Sequence, residues 1–305
     1  MDQSTVLISE KGRRYRLHWS PAHLLHQGKY SKVILAEDDD GVRYAAKIIR
    51  ENTSVAEISL PVSHPVLLPP VDYCAFENGV VFFIPYFKGQ PLITFLNEAA
   101  VTGRTEHIIA VLQQLTAGFT ALHEAGWYHG DVKPENILAG YTEAGSPEVR
   151  IVDFGKASPI GHMPAASTGF NLQYAAPEVI LSARNITDQR ADIYSLALLL
   201  YEWMEGRHPF VHSNPEMMMH LMMAAPLPVP REIGEGVKDV LLKAMQKPVF
   251  RRPPAMLSSA EAGEKLQQAM NLRWNSMSDF IEALLAFPDL LKPPAVRTKR
   301  SWWKW

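Results

Sequence analysis

Polar and charged side chains gather in one short stretch of the chain, HGDVKPENIL at 129–138. Within it, Asp131, Lys133 and Asn136 offer a carboxylate, an ammonium and an amide. A further aspartate, Asp153, follows the short run VRIV at 149–152. Carboxylate and amide oxygens suit Mg²⁺, and a carboxylate is also able to orient a hydroxyl group that must lose its proton. These residue types fit the transfer of a phosphoryl group from a magnesium nucleotide.

Several sequence signatures stand in one order around these residues. They are AAK at 45–47, HGDVKPEN at 129–136, DFG at 153–155, APE at 176–178 and DIYSLA at 192–197. With them the chain resembles the eukaryotic-type serine/threonine protein kinases over roughly residues 20–287, and the segment APLPVP resembles bacterial members. The resemblance implies a bilobal kinase fold, ATP and Mg²⁺ as cofactors, and transfer of the γ-phosphate to serine or threonine hydroxyls of protein substrates.

The resemblance also implies a role for each polar residue. Asp131 would accept or orient the proton of the substrate hydroxyl, and Lys133 would steady the γ-phosphate. Asp153 and Asn136 would bind Mg²⁺. Lys47 would hold the α- and β-phosphates of ATP.

In the family, that lysine is held by a glutamate on a helix. Glu57 is the candidate here, ten residues after Lys47, and Glu51 is the reserve. The spacing is shorter than we expect for the family. We therefore predict a truncated helix before Glu57.

The cover over the phosphates is the weakest match. HQGKYSKV at 26–33 keeps Gly28 alone of the three glycines expected there. Glycine lets the backbone approach a phosphate without an intervening side chain. We therefore expect ATP to bind more loosely than in relatives that keep all three.

Apolar residues are predicted to hold the adenine ring. Val33 and Ala45 would lie above the ring and Leu138 below it. On the alignment with the family, the main-chain groups of Pro85 and Phe87 would face the adenine edge, and proline removes only an N–H group from that set.

Glycine at position 130, where the family usually has arginine, leaves one alternative function open. His-Gly-Asp resembles the aminoglycoside and choline phosphotransferases, which act on small molecules. Against that assignment, Gly155 stands where those enzymes usually have an acidic residue, and the chain keeps a segment ending in APE. The incomplete phosphate cover and the short helix leave a second alternative, a pseudokinase that binds nucleotide or partners without turnover; the retained lysine, asparagine and two aspartates argue against it.

The arginine normally pairs with a phosphorylated residue of the activation segment. Because Gly130 has no side chain, that clamp cannot form. We predict an activation segment, Lys156–Ala175, that orders without phosphate. Four positions in it carry hydroxyls and are interpreted as polar loop residues: Ser158, Ser167, Thr168 and Tyr174.

Two further contacts are expected to support the site. Asp192 resembles the helix aspartate that accepts hydrogen bonds from the catalytic-loop backbone. Glu178 should pair with an arginine further along the chain, for which Arg252 and Arg273 compete; we favour Arg273.

Composition excludes several classes of function. The chain has 305 residues, of which 47% are hydrophobic, and its formal net charge of −2 gives no cationic field for nucleic acid. Cys74 is the single cysteine and lies in an apolar setting, so we predict a buried hydrophobe rather than a disulfide or a metal ligand. A cytoplasmic location follows as the expectation.

Periodicity divides the chain into a strand-rich part and a helical part. Alternating runs separated by EKG, DDDG and ENG turns precede Leu92, and helical spacing follows it. We predict an α+β fold with a β-rich N-lobe at 1–86, an α-helical C-lobe at 87–287 and a tail at 288–305. The predicted elements are strands at Thr5–Ile8, Arg13–His18, Lys32–Ala36, Tyr44–Ile49 and Val80–Ile84, and helices at Ile108–His123, Arg190–Met204, Pro215–Met223, Val237–Gln246, Ala260–Met270 and Ser276–Ala286.

Two segments invite partners. EMMMHLMM at 216–223 is rich in methionine; we favour core packing over docking of a substrate or a regulator protein. The tail RTKRSWWKW combines four basic residues with three tryptophans. It is compatible with docking on a partner or folding back, and membrane contact ranks third.

Overall fold

The structure is a computed structural model. It describes residues 4–28, 31–50, 60–77, 79–162, 172–183, 185–250, 256–288 and 291. The chain divides into two compact units, Met1–Lys88 and Gly89–Trp305.

The first unit is an antiparallel sheet. Among its described residues, seven strands pair in the order β1-β2-β4-β5-β7-β6, with β3 against β4. Side chains alternate across each strand, and one face of the sheet carries the buried cluster. In that cluster the rings of Tyr15 and Phe83 stack with centroids 3.6 Å apart. The strands are β1 Ser4–Ile8, β2 Arg14–His18, β3 Leu24–Gln27, β4 Ser31–Asp38, β5 Arg43–Ile49, β6 Asp72–Phe76 and β7 Gly79–Pro85.

The second unit is mostly helical. In its described part, β10 lies between β8 and β11, and β9 pairs with β12. The strands are β8 Gly89–Pro91, β9 Trp127–Tyr128, β10 Ile137–Tyr141, β11 Pro147–Ile151 and β12 Ser158–Pro159. The helices are α1 Leu92–Val101, α2 Thr105–Glu124, α3 Pro177–Ile180, α4 Arg190–Glu205, α5 Pro215–Ala224, α6 Glu235–Ala244, α7 Ser259–Met270 and α8 Met277–Leu285.

Two buried helices, α2 and α4, support the catalytic loop. In α2 a stripe of apolar side chains at three- and four-residue spacing, from Ile108 to Leu122, is fully buried. In α4 nearly every side chain is buried, as a helix that is apolar on most of its surface requires. α4 ends at Glu205 and is followed by Gly206, whose φ of 71° is a left-handed backbone suited to glycine.

The predicted fold class, a strand-rich part followed by a helical part, is confirmed. Each strand and helix predicted from periodicity is present, and its ends differ from the observed ones by at most three residues. Periodicity did not single out the remaining elements, which are β3, β6, β8 to β12, α1 and α3.

Several expectations about individual residues can be compared with the structure. Cys74 is buried, and burial, with smaller contributions from Asp72 and Glu10, raises the pKa of its thiol to about 11. In α5, Met218, Met222 and Met223 are core residues, whereas Met217 and Met219 are exposed. Docking on α5 stays a prediction. The tail residues 292–305 lie outside the described residues, and no helix in the described part is long and apolar enough to cross a bilayer.

A buried ion pair joins the end of the APE segment to the loop before α8. Arg273 donates from Nη1 to Glu178 Oε1 at 2.6 Å and from Nη2 to Oε2 at 3.0 Å, and both side chains are 0% exposed. Arg273 also donates from Nε to the Gln246 carbonyl at 2.8 Å. The preference for Arg273 is confirmed; Arg252 lies outside the described residues.

Replacing Glu178 by Gln should destabilise the protein strongly. The change leaves the guanidinium of Arg273 buried without its counter-charge, which typically costs about 3–5 kcal/mol. The free energy of unfolding, measured by chemical denaturation, reports the loss. Lys238→Gln is the matched control because it removes a partly exposed pair with Glu235, and its cost should stay within about 1 kcal/mol. Equal losses in the two variants would contradict the expectation.

Candidate active site

One buried carboxylate fixes the backbone of the catalytic loop. Asp192, in the first turn of α4, accepts hydrogen bonds from His129 N at 2.7 Å and from Gly130 N at 2.9 Å. His123 of α2 donates from Nε2 to the same carboxylate at 2.9 Å. Asp192 is 1% exposed. The predicted contact between this aspartate and the loop is confirmed, and its burial is offset by three donors.

His129 and Phe154 pack against each other beneath the site. His129 is fully buried and donates from Nε2 to the Val152 carbonyl at 3.0 Å. Its ring lies 5.0 Å from that of Phe154, measured between centroids. These contacts tie the start of the catalytic loop to the DFG segment, which carries Asp153.

Asp131 is surrounded by donors on both carboxylate oxygens. Lys156 Nζ lies 2.9 Å from Oδ1, and Lys133 Nζ lies 2.8 Å from Oδ2. Asn136 donates from Nδ2 to the Asp131 carbonyl at 2.8 Å and to Oδ2 at 3.2 Å. The side chain of Asp131 is 8% exposed. Three residues therefore set the position and orientation of this carboxylate.

The two lysines decide the charge state of Asp131. Burial is the largest single influence and raises the pKa of Asp131, but the charges and hydrogen bonds of Lys133 and Lys156 together lower that pKa below its ordinary value. Burial would lower the pKa of Lys133; Asp131, with smaller contributions from Asp153 and Glu135, raises it. At neutral pH the site therefore holds an ionised carboxylate beside a cationic Lys133.

The β10–β11 hairpin brings the two candidate magnesium ligands side by side. Asn136 immediately precedes β10, Asp153 follows β11, and Val152 N donates to the Asn136 carbonyl at 2.9 Å. Because the amide nitrogen of Asn136 is engaged by Asp131, its amide oxygen is the atom suited to a cation. Asp153 has a φ of 65°, a left-handed backbone uncommon outside glycine. An amide oxygen and a carboxylate fit Mg²⁺, which is commonly bound by few protein ligands together with phosphate oxygens.

A residue larger than glycine at position 130 would clash with neighbouring parts of the chain. Its φ is 74°, and a Cβ added there would lie 2.9 Å from the Lys156 carbonyl oxygen and 3.2 Å from Tyr128 Cε2. Both the backbone angle and the close approach favour glycine.

The first unit carries the remaining predicted residues. Because β5 buries alternate residues in the core, Ala45 and Lys47 lie on the opposite face of the sheet. Val33 is directly opposed to Lys47 in the β4–β5 register and shares that face. Gly28 follows β3, and its N–H donates to the Ser31 carbonyl at 2.8 Å.

The other residues predicted to contact the nucleotide belong partly to the first unit and partly to the second. Pro85 ends β7 and Phe87 lies in the segment after it, at the end of the first unit. Leu138 lies in β10 of the second unit, opposite Pro91. The adenine-binding roles of these residues stay predictions. Glu57 and its reserve Glu51 lie outside the described residues.

The model of the protein kinase domain matches residues 19–270 of the chain. The chain belongs to the protein kinase family. Serine/threonine-protein kinase pkn2 of Myxococcus xanthus is 29% identical over 220 residues, which cover 68% of this chain and 26% of that protein. Serine/threonine-protein kinase PknJ of Mycobacterium tuberculosis is 30% identical over 230 residues, 72% of this chain and 38% of that protein. Human serine/threonine-protein kinase ULK1 is 31% identical over 195 residues, 61% of this chain and 18% of that protein.

The matched relatives are serine/threonine protein kinases, and the chain spans well under half of their length. Members of the family generally use ATP and Mg²⁺ and act on proteins. Arg273 lies just beyond the matched residues, so the pairing of Glu178 comes from the structure alone.

Two positions of the predicted activation segment differ from the interpretation as polar loop. Ser158 is buried in β12, where it pairs with Tyr128. Tyr174 is buried, and its hydroxyl donates to Glu202 Oε2 at 2.5 Å. Burial, followed by the charge and hydrogen bond of Glu202, raises the pKa of Tyr174. The prediction was wrong for these two because their partners lie far away in the sequence; Ser167 and Thr168 lie outside the described residues.

Sequence reasoning missed two residues of the site. Lys156 follows the DFG motif directly, and its cationic type was the available signal. His123 lies 69 residues before Asp192, and nothing in the sequence linked the two. Both become visible only when the loop, the hairpin and α4 are placed together.

Replacing Asp192 by Asn should loosen the catalytic loop. An amide presents one oxygen where the carboxylate presents two, so one of the N–H groups of His129 and Gly130 loses its acceptor. Amide hydrogen exchange in peptides covering 123–136 should increase by roughly tenfold, measured by mass spectrometry. Asp188→Asn is the control, since it alters the ion pair with Arg190 and leaves the loop contacts intact. Unchanged exchange at 129–130 in Asp192→Asn would refute the anchoring role.

Proposed function

We propose that this protein is a serine/threonine protein kinase that transfers the γ-phosphate of ATP to hydroxyl groups of proteins. The observation that carries the proposal is the setting of Asp131, held by Lys133, Lys156 and Asn136. An oriented carboxylate beside fixed cations and a magnesium-binding pair is what phosphoryl transfer requires, because the reaction depends on positioning and on neutralising charge. The serine/threonine preference rests mainly on Lys133 and agrees with the named relatives.

Each residue at the site has a task in the proposed reaction. The substrate hydroxyl donates a hydrogen bond to Asp131, which orients its oxygen and takes its proton. Lys133 steadies the γ-phosphate, and Lys47 holds the α- and β-phosphates. Asn136 and Asp153 would hold Mg²⁺, which supplies the charge neutralisation that a triphosphate needs.

Two alternatives receive less support. A small-molecule phosphotransferase does not require an ordered APE segment, whereas here Glu178 of that segment is fixed by the buried pair with Arg273. A pseudokinase has no need of a carboxylate oriented by three donors. The acceptor and the turnover therefore become the measurements that separate these functions.

Asp131→Asn and Lys47→Met should each lower phosphoryl transfer by roughly 100-fold or more. The purified chain is incubated with Mg²⁺ and γ-labelled ATP, and labelled proteins are separated on a gel. Wild-type protein should label itself or a generic basic protein, and the control Lys238→Met should match it.

Other outcomes would contradict the proposal. Label transferred to added aminoglycoside or choline alone would indicate the small-molecule enzyme. ATP binding without transfer to any acceptor would indicate the pseudokinase. Full activity in both Asp131→Asn and Lys47→Met would refute the residue assignments.

We further infer that activity does not depend on phosphorylation of the activation segment. Gly130 offers no guanidinium to a phosphate, and Ser158 and Tyr174 are buried in the structure. Phosphatase-treated enzyme should therefore retain its rate on a peptide within about twofold of untreated enzyme. Intact-mass measurement confirms the removal of phosphate. The variant Ser167→Ala/Thr168→Ala should likewise keep its rate within about twofold of the untreated enzyme. A loss of most activity in either sample would overturn this independence.

A further inference from the structure

Lys156 belongs to the activation segment, yet its side chain reaches the catalytic loop. Its Nζ lies 2.9 Å from Asp131 Oδ1, and the pair is partly shielded from water, with 20% and 8% of the two side chains exposed. No motif that identifies the family assigns a partner to this position. The contact joins residues 25 apart in the sequence.

The backbone around Lys156 is fixed on both sides. Ala157 N donates to the Phe154 carbonyl at 2.9 Å and closes a turn over the DFG motif. Ser158 then pairs with Tyr128, the residue directly before the catalytic loop. The ammonium therefore reaches Asp131 from a short, hydrogen-bonded frame, which reduces the entropy lost in forming the ion pair.

Gly130 and Lys156 depend on each other. The Lys156 carbonyl occupies the space where a side chain at position 130 would begin, 2.9 Å from an ideal Cβ. Glycine at position 130, in place of the usual arginine, therefore also leaves space for the backbone of Lys156. Compared with the family, the catalytic loop lacks the arginine cation, and Lys156 of the activation segment places a cation beside the loop instead.

We propose that Lys156 is a positioning residue that ties the start of the activation segment to Asp131 and takes over the ordering task of the missing arginine clamp. This inference rests on the proposed kinase function. The polarity is reversed with respect to that clamp: the loop supplies the anion and the segment supplies the cation, so no phosphate is needed.

The ion pair is compatible with a bound substrate. A carboxylate has about four lone-pair positions, and Lys156, Lys133 and Asn136 occupy three of them in the structure. One position remains for the substrate hydroxyl. With donors on both oxygens, the carboxylate is held against rotation, and the remaining lone pair keeps a fixed direction.

Kinetics of Lys156→Met test the positioning role. This variant keeps most of the side-chain volume and removes the charge, so kcat for peptide phosphorylation should fall roughly 10- to 100-fold while KM for ATP stays within about twofold. Lys156→Arg, which restores a cation, should recover most of the rate. Lys238→Met, which removes an unrelated lysine–carboxylate pair in the same unit, should match wild type. Unchanged or increased kcat in Lys156→Met would overturn the proposal, as would a lowered melting temperature that accounts for the loss.

Coupling to Gly130 gives a second kinetic test. Gly130→Ala should displace the Lys156 backbone and lower kcat through the same ion pair. The double variant Gly130→Ala/Lys156→Met should then be no slower than the worse single variant. If the losses in kcat of the two single variants multiply in the double variant, Lys156 and Gly130 act separately, which would contradict the proposed coupling.

Chemical labelling tests the ion pair without any need for activity. Brief acetylation with acetic anhydride, followed by peptide mass spectrometry, should modify Lys156 several-fold faster in Asp131→Asn than in wild type, because the ammonium loses its carboxylate partner. Lys238 should react equally in both proteins. Equal reactivity of Lys156 in the two proteins would overturn the proposal. If instead Lys156 reacts faster in Asp131→Asn but the wild-type protein transfers no phosphate, the kinase function is refuted and the ion pair stands.

Discussion

A single buried carboxylate holds the candidate site together. Asp192 is almost fully removed from water, and an unpaired charge in such a place would be costly. The available donors are two backbone N–H groups of the catalytic loop and the ring of His123. The loop must therefore keep the conformation that presents those N–H groups, and α4, in which nearly every side chain is buried, holds it in place.

The conformation that Asp192 imposes propagates to the rest of the site. Gly130 gives one of the two N–H groups, and its left-handed backbone turns the chain so that Asp131 follows immediately. The same turn admits the Lys156 carbonyl beside Gly130. One glycine thus serves the anchoring of the loop and the approach of the activation segment, and arginine at this position would meet the backbone of Lys156.

The sequence was sufficient where the determinants are local. Alternation and helical spacing predicted most elements because each strand and helix buries one face of its own, and the HGDVKPEN stretch brings Asp131, Lys133 and Asn136 together within a single loop. The preference for Arg273 over Arg252 did not come from such local patterns, since both residues follow helical segments of similar appearance. Ser158 was misjudged because a two-residue strand has no periodicity to detect.

The ion pairs of the second unit divide by their access to water, and this division matches their tasks. Glu178 and Arg273 are fully enclosed, so separating them would leave two charges without solvent, and the pair acts as a permanent joint. Lys133 and Lys156 keep about a fifth of their side chains exposed beside Asp131. Water can solvate either ammonium as it moves, so the cost of a rearrangement is small. The site can therefore admit a hydroxyl and a phosphate at Asp131 while the joint beneath the APE segment stays closed.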